Sequence, residues 1–256
     1  MRMDELTDEL ENLGQGIESA EALAETLARI TARLGFDHFA LAHHVDVTAA
    51  NASAIRLHNY PDAWVDYYDA NGLGLSDPVH RASHVTSIGF CWSHIPNMIP
   101  LTPTDLETLA LGEAQGIGDG FTVPAHVPGE ARGSCSFASR RDNGVPCDVL
   151  PVAQLVGAFA FEAARRLWLG RGAMAETAPS LTDRQRDCVL WISRGKSDWE
   201  TGRILGVSEE TVVTHVKHAC ARYDVNKRTL LVIRTLFDGT ISFGDALDHR
   251  HPPFWG

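Results

Sequence analysis

No run in the 256 residues approaches the roughly 18 to 20 uncharged apolar residues that a membrane span requires. The first eleven residues are acidic, where a secretion signal would be basic and then apolar. Both deficits point to the cytoplasm. Cysteine is sparse: Cys91, Cys135, Cys147, Cys188 and Cys220 are odd in number and scattered, with no CxxC pair to suggest zinc or a disulfide framework. Reduced, mostly buried thiols are expected, and the Asn-Ala-Ser sequon at Asn51 is then idle. There is no GxSxG elbow or other nucleophile motif, no internal repeat and no low-complexity tract. His80 and His84 stand at the i, i+4 spacing of a helical metal pair, but no neighbouring Glu or Cys completes a site, so a surface role is expected. The run Gly116-x-Gly118-x-Gly120 leads into a strand and not a helix, which excludes a dinucleotide fingerprint. No enzyme, cofactor or metal is expected.

Basic residues are also in deficit, 22 Lys and Arg against 33 Asp and Glu, for a net charge of -11. Such a balance argues against nucleic acid, because phosphate contacts need cations. The deficit is unevenly spread, however. Residues 181–241 carry ten basic and eight acidic side chains, the tail from Ser242 adds about -1, and residues 1–180 hold about -12. That is the pattern of an acidic sensory module joined to a mildly basic reader.

Apolar spacing divides the chain in the same way. Ala22, Leu23, Leu27, Ile30 and Leu34 recur at helical intervals, so Ser19 to Leu34 is an amphipathic helix. Phe36 to Val47, Ile55 to His58, Gly120 to His126 and Arg132 to Ser139 read as strands, and Thr104 to Glu113 and Val149 to Leu169 as helices. The expected fold is α+β: an N-terminal α-β-α sandwich around an antiparallel sheet over residues 1–169, then an all-α four-helix helix-turn-helix domain over 180–241. Gly170 to Pro179 reads as a linker and 242–256 as a tail.

In the C-terminal part, helices are expected at Thr182 to Ser193, Asp198 to Leu205, Ser208 to Tyr223 and Thr229 to Asp238. Gly195 suits a left-handed helix end, and Ser197 and Ser208 suit N-caps. Val212, Val216, Ala219 and Tyr223 form a buried stripe, which turns Val213, Thr214 and Lys217 outward. A lysine, a threonine and an apolar methyl bearer on one helix face can read base edges in a major groove, and Lys196, Lys227 and Arg228 can anchor phosphates. Taken singly, each is equally an ordinary surface residue of a bundle. The segment from Leu181-Thr182 through Gly195-Lys196, Ile204-Leu205-Gly206-Val207-Ser208, Thr211-Val212 and His215 resembles the LuxR-type helix-turn-helix along its whole length. The resemblance implies that Ser208 to Tyr223 is the recognition helix, with Thr211 among its DNA-binding residues, and that the last helix dimerises. It departs at Gln185, where the family usually has Glu.

In the N-terminal part, Tyr60, Trp64, Tyr68, Asp77-Pro78 and Trp92 gather aromatics around one acid. A structural aromatic cluster with a helix-capping Asp accounts for them as composition. Their spacings are also similar to those of the autoinducer-binding domain of the LuxR family, and Gly116, Gly120 and Pro124 fit its turn-and-strand pattern. What this implies is an N-acyl homoserine lactone as ligand. Trp64 would donate to the lactone carbonyl and Asp77 accept from the amide N–H; Tyr60 and Ser136 would donate to the amide carbonyl; Trp92 would pack on the ring and Tyr68 would wall the pocket. Ser134, on the same strand face, can replace Ser136, and Ala40 and Ala42 leave room for a longer chain. The expected partners are this lactone, double-stranded promoter DNA, a second copy of the chain and RNA polymerase. The alternative is an orphan regulator that takes a non-lactone ligand or none.

Overall fold

The computed structural model describes residues 3–45, 54–128, 130–140, 144–171 and 179–247. The sequon at Asn51 and most of the expected linker and tail lie outside them. The chain divides into two compact units, 1–127 with 131–174, and 128–130 with 175–256.

The first unit is built on a five-stranded antiparallel sheet, in the order β2-β1-β5-β4-β3, with β1 His38–His43, β2 Arg56–His58, β3 Phe90–Cys91, β4 Asp119–Ala125 and β5 Gly133–Ser139. Period-two alternation decides what each face holds. Phe39 and Leu41 of β1, Phe121 and Val123 of β4, and Cys135 and Phe137 of β5 face one side, where they are buried with the apolar stripes of α2 (Ala20–Arg33) and α7 (Leu150–Arg171). Phe39 and Phe137 are almost fully enclosed, and cutting either to Ala costs about 3–5 kcal/mol. Ser19 starts α2 by accepting the Ala22 N–H at 3.1 Å. α7 is long and apolar enough in composition to cross a membrane, but Ala153, Val156, Ala160 and Ala164 are buried against the sheet, as in a core helix.

The opposite face of the sheet carries short helices, α3 (Asp62–Ala70), α4 (Pro78–Ser83), α5 (Ile95–Met98) and α6 (Pro103–Ala114), while α1 (Met3–Glu11) packs against α7. The sandwich expectation therefore holds, and the spacing of Tyr60, Trp64 and Tyr68 proves to be partly helical, since the last two lie on α3. β1 is shorter than the expected Phe36 to Val47. Gly35, at φ +84°, turns the chain out of α2, and Phe36 packs into the core from that turn. α7 runs to Arg171, two residues into the expected linker.

The second unit packs α8 (Asp183–Ser193), α9 (Asp198–Leu205), α10 (Glu209–Arg222) and α11 (Arg228–Phe237) around Val189, Val212, Val216, Ala219, Tyr223 and Leu231. A fifth helix, α12 (Phe243–Ala246), lies within the segment expected as a tail. Ser242 and Asp245 form a capping box, and the Asp245 carbonyl accepts from Arg194 Nε at 2.8 Å. The thiols depart from expectation as well: all five are free, but only Cys135 and Cys188 are buried, and Cys147 is exposed.

Candidate functional site

The face of the sheet turned away from α2 and α7 floors a cavity of about 820 Å³, counting the space open at its mouth. All six residues singled out in the sequence, Tyr60, Trp64, Tyr68, Asp77, Trp92 and Ser136, line it, together with Ala40 and Ala42. One turn of α3 separates Trp64 from Tyr68, whose rings meet edge to face at 5.8 Å. Asp77 caps α4, its Oδ1 accepting the Val79 N–H at 2.7 Å, while its Oδ2 accepts the Tyr68 hydroxyl at 2.9 Å. The capping reading of Asp77 is thus correct as far as it goes, and it aims the carboxylate at the cavity. Burial and the adjacent Asp77 carboxylate push the Tyr68 hydroxyl well above its ordinary pKa, so it stays protonated. Burial does the same to Tyr60.

Trp92 donates its indole N–H to Thr122 Oγ1 at 2.8 Å, and Thr122 and Ser136 share a hydrogen bond of 2.8 Å. Gly120 permits this arrangement, because a Cβ there would stand 2.5 Å from the Phe137 carbonyl and 2.8 Å from the Trp92 ring. The Trp64 indole N–H makes no hydrogen bond to a described residue. The cavity therefore offers several neutral donors and one carboxylate acceptor between aromatic walls, an arrangement that can hold a neutral molecule bearing both an N–H and carbonyls.

Four histidines adjoin this wall, and they correct the surface role expected for His80 and His84. Both are half-buried. His44, buried at the end of β1, stacks on His80 with ring centroids 3.8 Å apart, and its Nδ1 lies 2.8 Å from His84 Nε2. His44 Nε2 lies 2.9 Å from Ser134 Oγ, and His126 Nε2 lies 3.0 Å from the Ser83 carbonyl. The cause is that α4 docks on β4 and β5, so its i, i+4 face points inward. The signal was present in the alternation of Ala40, Ala42 and His44 along one strand face. Among the described residues no group of three or more His, Cys, Asp or Glu could hold a metal.

Sequence reasoning also missed the clamp that seats α4. Arg81 Nη1 lies 2.8 Å from both oxygens of Asp105, at the start of α6, and Nη2 donates to the Pro100 carbonyl at 3.1 Å. Burial alone would raise the Asp105 pKa, but the Thr102 N–H and Arg81 outweigh it and hold the carboxyl below its usual range.

In the second unit, α9, the turn at Gly206 and α10 form the helix-turn-helix. Gly206 sits at φ +70° and ends α9; Ser208 caps α10 by accepting the Thr211 N–H at 3.2 Å. Val212, Val216, Ala219 and Tyr223 are buried, and Val213, Thr214 and Lys217 are exposed, as the stripe predicted. The Thr214 hydroxyl donates back to the Glu210 carbonyl at 2.8 Å, and Thr211 shares a 2.8 Å bond with Ser208. Lys196 lies 3.5 Å from Glu200. Arg228 is held by Asp198 through bonds of 3.0 and 2.7 Å, which leaves less of its charge for a phosphate than the sequence suggested. Lys227 is exposed at the start of α11. Gln185 is buried, and its Oε1 accepts the Thr182 N–H at 3.0 Å in a capping box, so the amide performs the capping that a Glu would.

Comparison with known proteins matches residues 19–166 to the autoinducer binding domain family and residues 179–235 to the family described as bacterial regulatory proteins, luxR family. The chain is 26% identical over 246 residues to the transcriptional activator protein AhyR of Aeromonas hydrophila, covering 94% of each. It is 27% identical over 194 residues to the transcriptional activator protein LuxR of Aliivibrio fischeri, covering 72% of this chain and 74% of that protein. Among solved structures it shares its fold with SdiA of Escherichia coli, at a TM-score of 0.66 and 24% identity, over 93% of this chain and 98% of that one.

Proposed function

The chain belongs to the LuxR family of quorum-sensing transcription regulators, and from that premise we propose that it binds an N-acyl homoserine lactone in the first unit and a partly palindromic promoter site as a homodimer. The observation that carries this reading is the single carboxylate, Asp77, set among the donors Trp64, Tyr60 and Ser136 at one apolar cavity. A lactone presents one amide N–H to the acid and two carbonyls to the donors. Ala40 and Ala42 leave room for its acyl chain.

Ligand stabilises the folded first unit by mass action and favours pairing of two chains. Leu230, Ile233 and Phe237, exposed at helical spacing on α11, supply an apolar stripe for that pairing. Two recognition helices then enter successive major grooves, with Val213, Thr214 and Lys217 at base edges and Lys196, Thr211, Lys227 and Arg228 toward the backbone. We place the functional boundaries at 1–169 and 180–241, the protein in the cytoplasm and RNA polymerase as its downstream partner. A second reading, a non-lactone acyl ligand, is favoured by the SdiA structure in complex with octanoyl-rac-glycerol.

The test is the thermal unfolding midpoint of the full chain with a panel of acyl homoserine lactones and with octanoyl glycerol, followed by DNA binding of the stabilised form. A rise with lactones supports the first reading. A rise with the glycerol ester alone replaces it with the second.

A further inference from the structure

The cavity holds a second polar position besides the residues assigned to the lactone head group above. Ser134 and Ser136 lie on the same face of β5, two residues and so about 7 Å apart along the strand. They are differently supported: Ser136 belongs to the Trp92–Thr122 chain, whereas Ser134 is bonded to His44 alone. Across the β1 register Ser136 faces Ala40 and Ser134 faces Ala42, so only methyl groups stand beside the two hydroxyls on that side.

His44 is kept neutral, first by burial and then by the other histidines around it, His80, His84, His126 and His43. A neutral ring has one N–H for its two partners. If the proton is on Nε2, Ser134 accepts it and its own O–H is free for a carbonyl. If the proton is on Nδ1, toward His84, Ser134 donates to the ring and its lone pairs are free for a hydroxyl. In either tautomer a fixed hydroxyl with unused capacity faces the cavity. A plain alkyl chain laid over it would remove water without replacing the bond.

We propose that the Ser134–His44 pair is a specificity determinant of the pocket, selecting a lactone whose acyl chain carries an oxygen, as hydroxyl or carbonyl, beyond the amide. This rests on the lactone reading above. His44 acts as a positioning residue, holding Ser134 through Nε2 while its stack on His80 and its bond to His84 fix the ring.

The experiment is isothermal titration of the full chain with octanoyl homoserine lactone and with analogues bearing one oxo or hydroxyl group at successive chain carbons. One oxygenated analogue is expected to bind about tenfold more tightly than the unsubstituted lactone. Ser134→Ala erases that preference while retaining the unsubstituted ligand, and Ser134→Thr, which keeps the hydroxyl, preserves it. Should Ser134→Ala not fold, His44→Gln is read in its place and must weaken the preference. Tightest binding by the unsubstituted lactone, or a preference that survives loss of the Ser134 hydroxyl, overturns the inference and leaves the lactone reading intact. Failure of every lactone to bind overturns both.

Discussion

Asp77→Asn separates the two roles that Asp77 holds in the fold. Its Oδ1 caps α4 through the Val79 N–H, and its Oδ2 takes the Tyr68 hydroxyl at the cavity wall. Asn caps a helix about as well as Asp, so with its carbonyl oxygen on Val79 the unliganded chain loses less than about 1 kcal/mol. The amide nitrogen then occupies the position of Oδ2 and cannot accept an N–H. A hydrogen bond to a charged acceptor is worth about 1.5–3 kcal/mol, so lactone affinity falls roughly 10- to 150-fold. At a concentration of 100 times the wild-type Kd, ligand stabilises the wild type by about 2.7 kcal/mol, and a hundredfold weaker variant by only about 0.4 kcal/mol. At roughly 2–4 °C per kcal/mol, a rise in Tm of about 5–11 °C shrinks to about 1–2 °C. Calorimetric melts with and without ligand read both effects. Two results would refute the reasoning: an undiminished ligand shift in Asp77→Asn, which removes the carboxylate from recognition, or an unliganded destabilisation as large as that of Asp77→Ala, which shows that the carboxylate itself, and not only the cap, holds the fold.

Acid should weaken the first unit through its histidines. The pKa of His44 and His84 lies below the ordinary 6.5, at about 4 for His84, with burial the leading cause and Arg132, His80 and His126 adding to it there. Below pH 6.5 the unfolded chain binds more protons than the folded one, so stability is complete above about pH 7 and falls as pH drops, by up to about 1.4 kcal/mol per pH unit at His44. Urea unfolding at pH 7.5 and 5.5 should show wild type losing about 1 kcal/mol more than His44→Gln; equal losses would exclude His44 as the cause. Gly202→Ala sets a Cβ 2.7 Å from the Val207 carbonyl inside the helix-turn-helix, and overpacking of this kind costs about 1–3 kcal/mol. The second unit should melt earlier while lactone binding is unchanged. Lys217→Ala, on the exposed face of α10, should cost about 1–3 kcal/mol in DNA binding and relax selectivity at one base pair. A uniform loss across sequences with a smaller salt slope would make Lys217 a phosphate contact instead.

Local periodicity sufficed for much of this protein. The three- and four-residue stripes of α2 and α10 state in sequence which side chains go inside, because a helix repeats every 3.6 residues. The caps at Ser197 and Ser208 and the left-handed Gly195 were legible for the same reason, since their partners lie within three or four residues. The six residues that line the cavity could be picked out because spacing along the chain carried the family resemblance. What local pattern could not give was any pairing between distant segments. Arg81 with Asp105, Trp92 with Thr122 and Ser136, and His44 with His84 and Ser134 join residues 14 to 90 positions apart. Each depends on where α4 and β3 dock on the sheet. Tertiary structure decided that His80 and His84 turn inward, that Arg228 is held by Asp198, and that the two pocket serines, alike in sequence, have different partners. The sequence by itself determined the elements and their buried faces; only the folded chain decided which polar groups meet across them, because hydrogen bonds are satisfied in space and not along the chain.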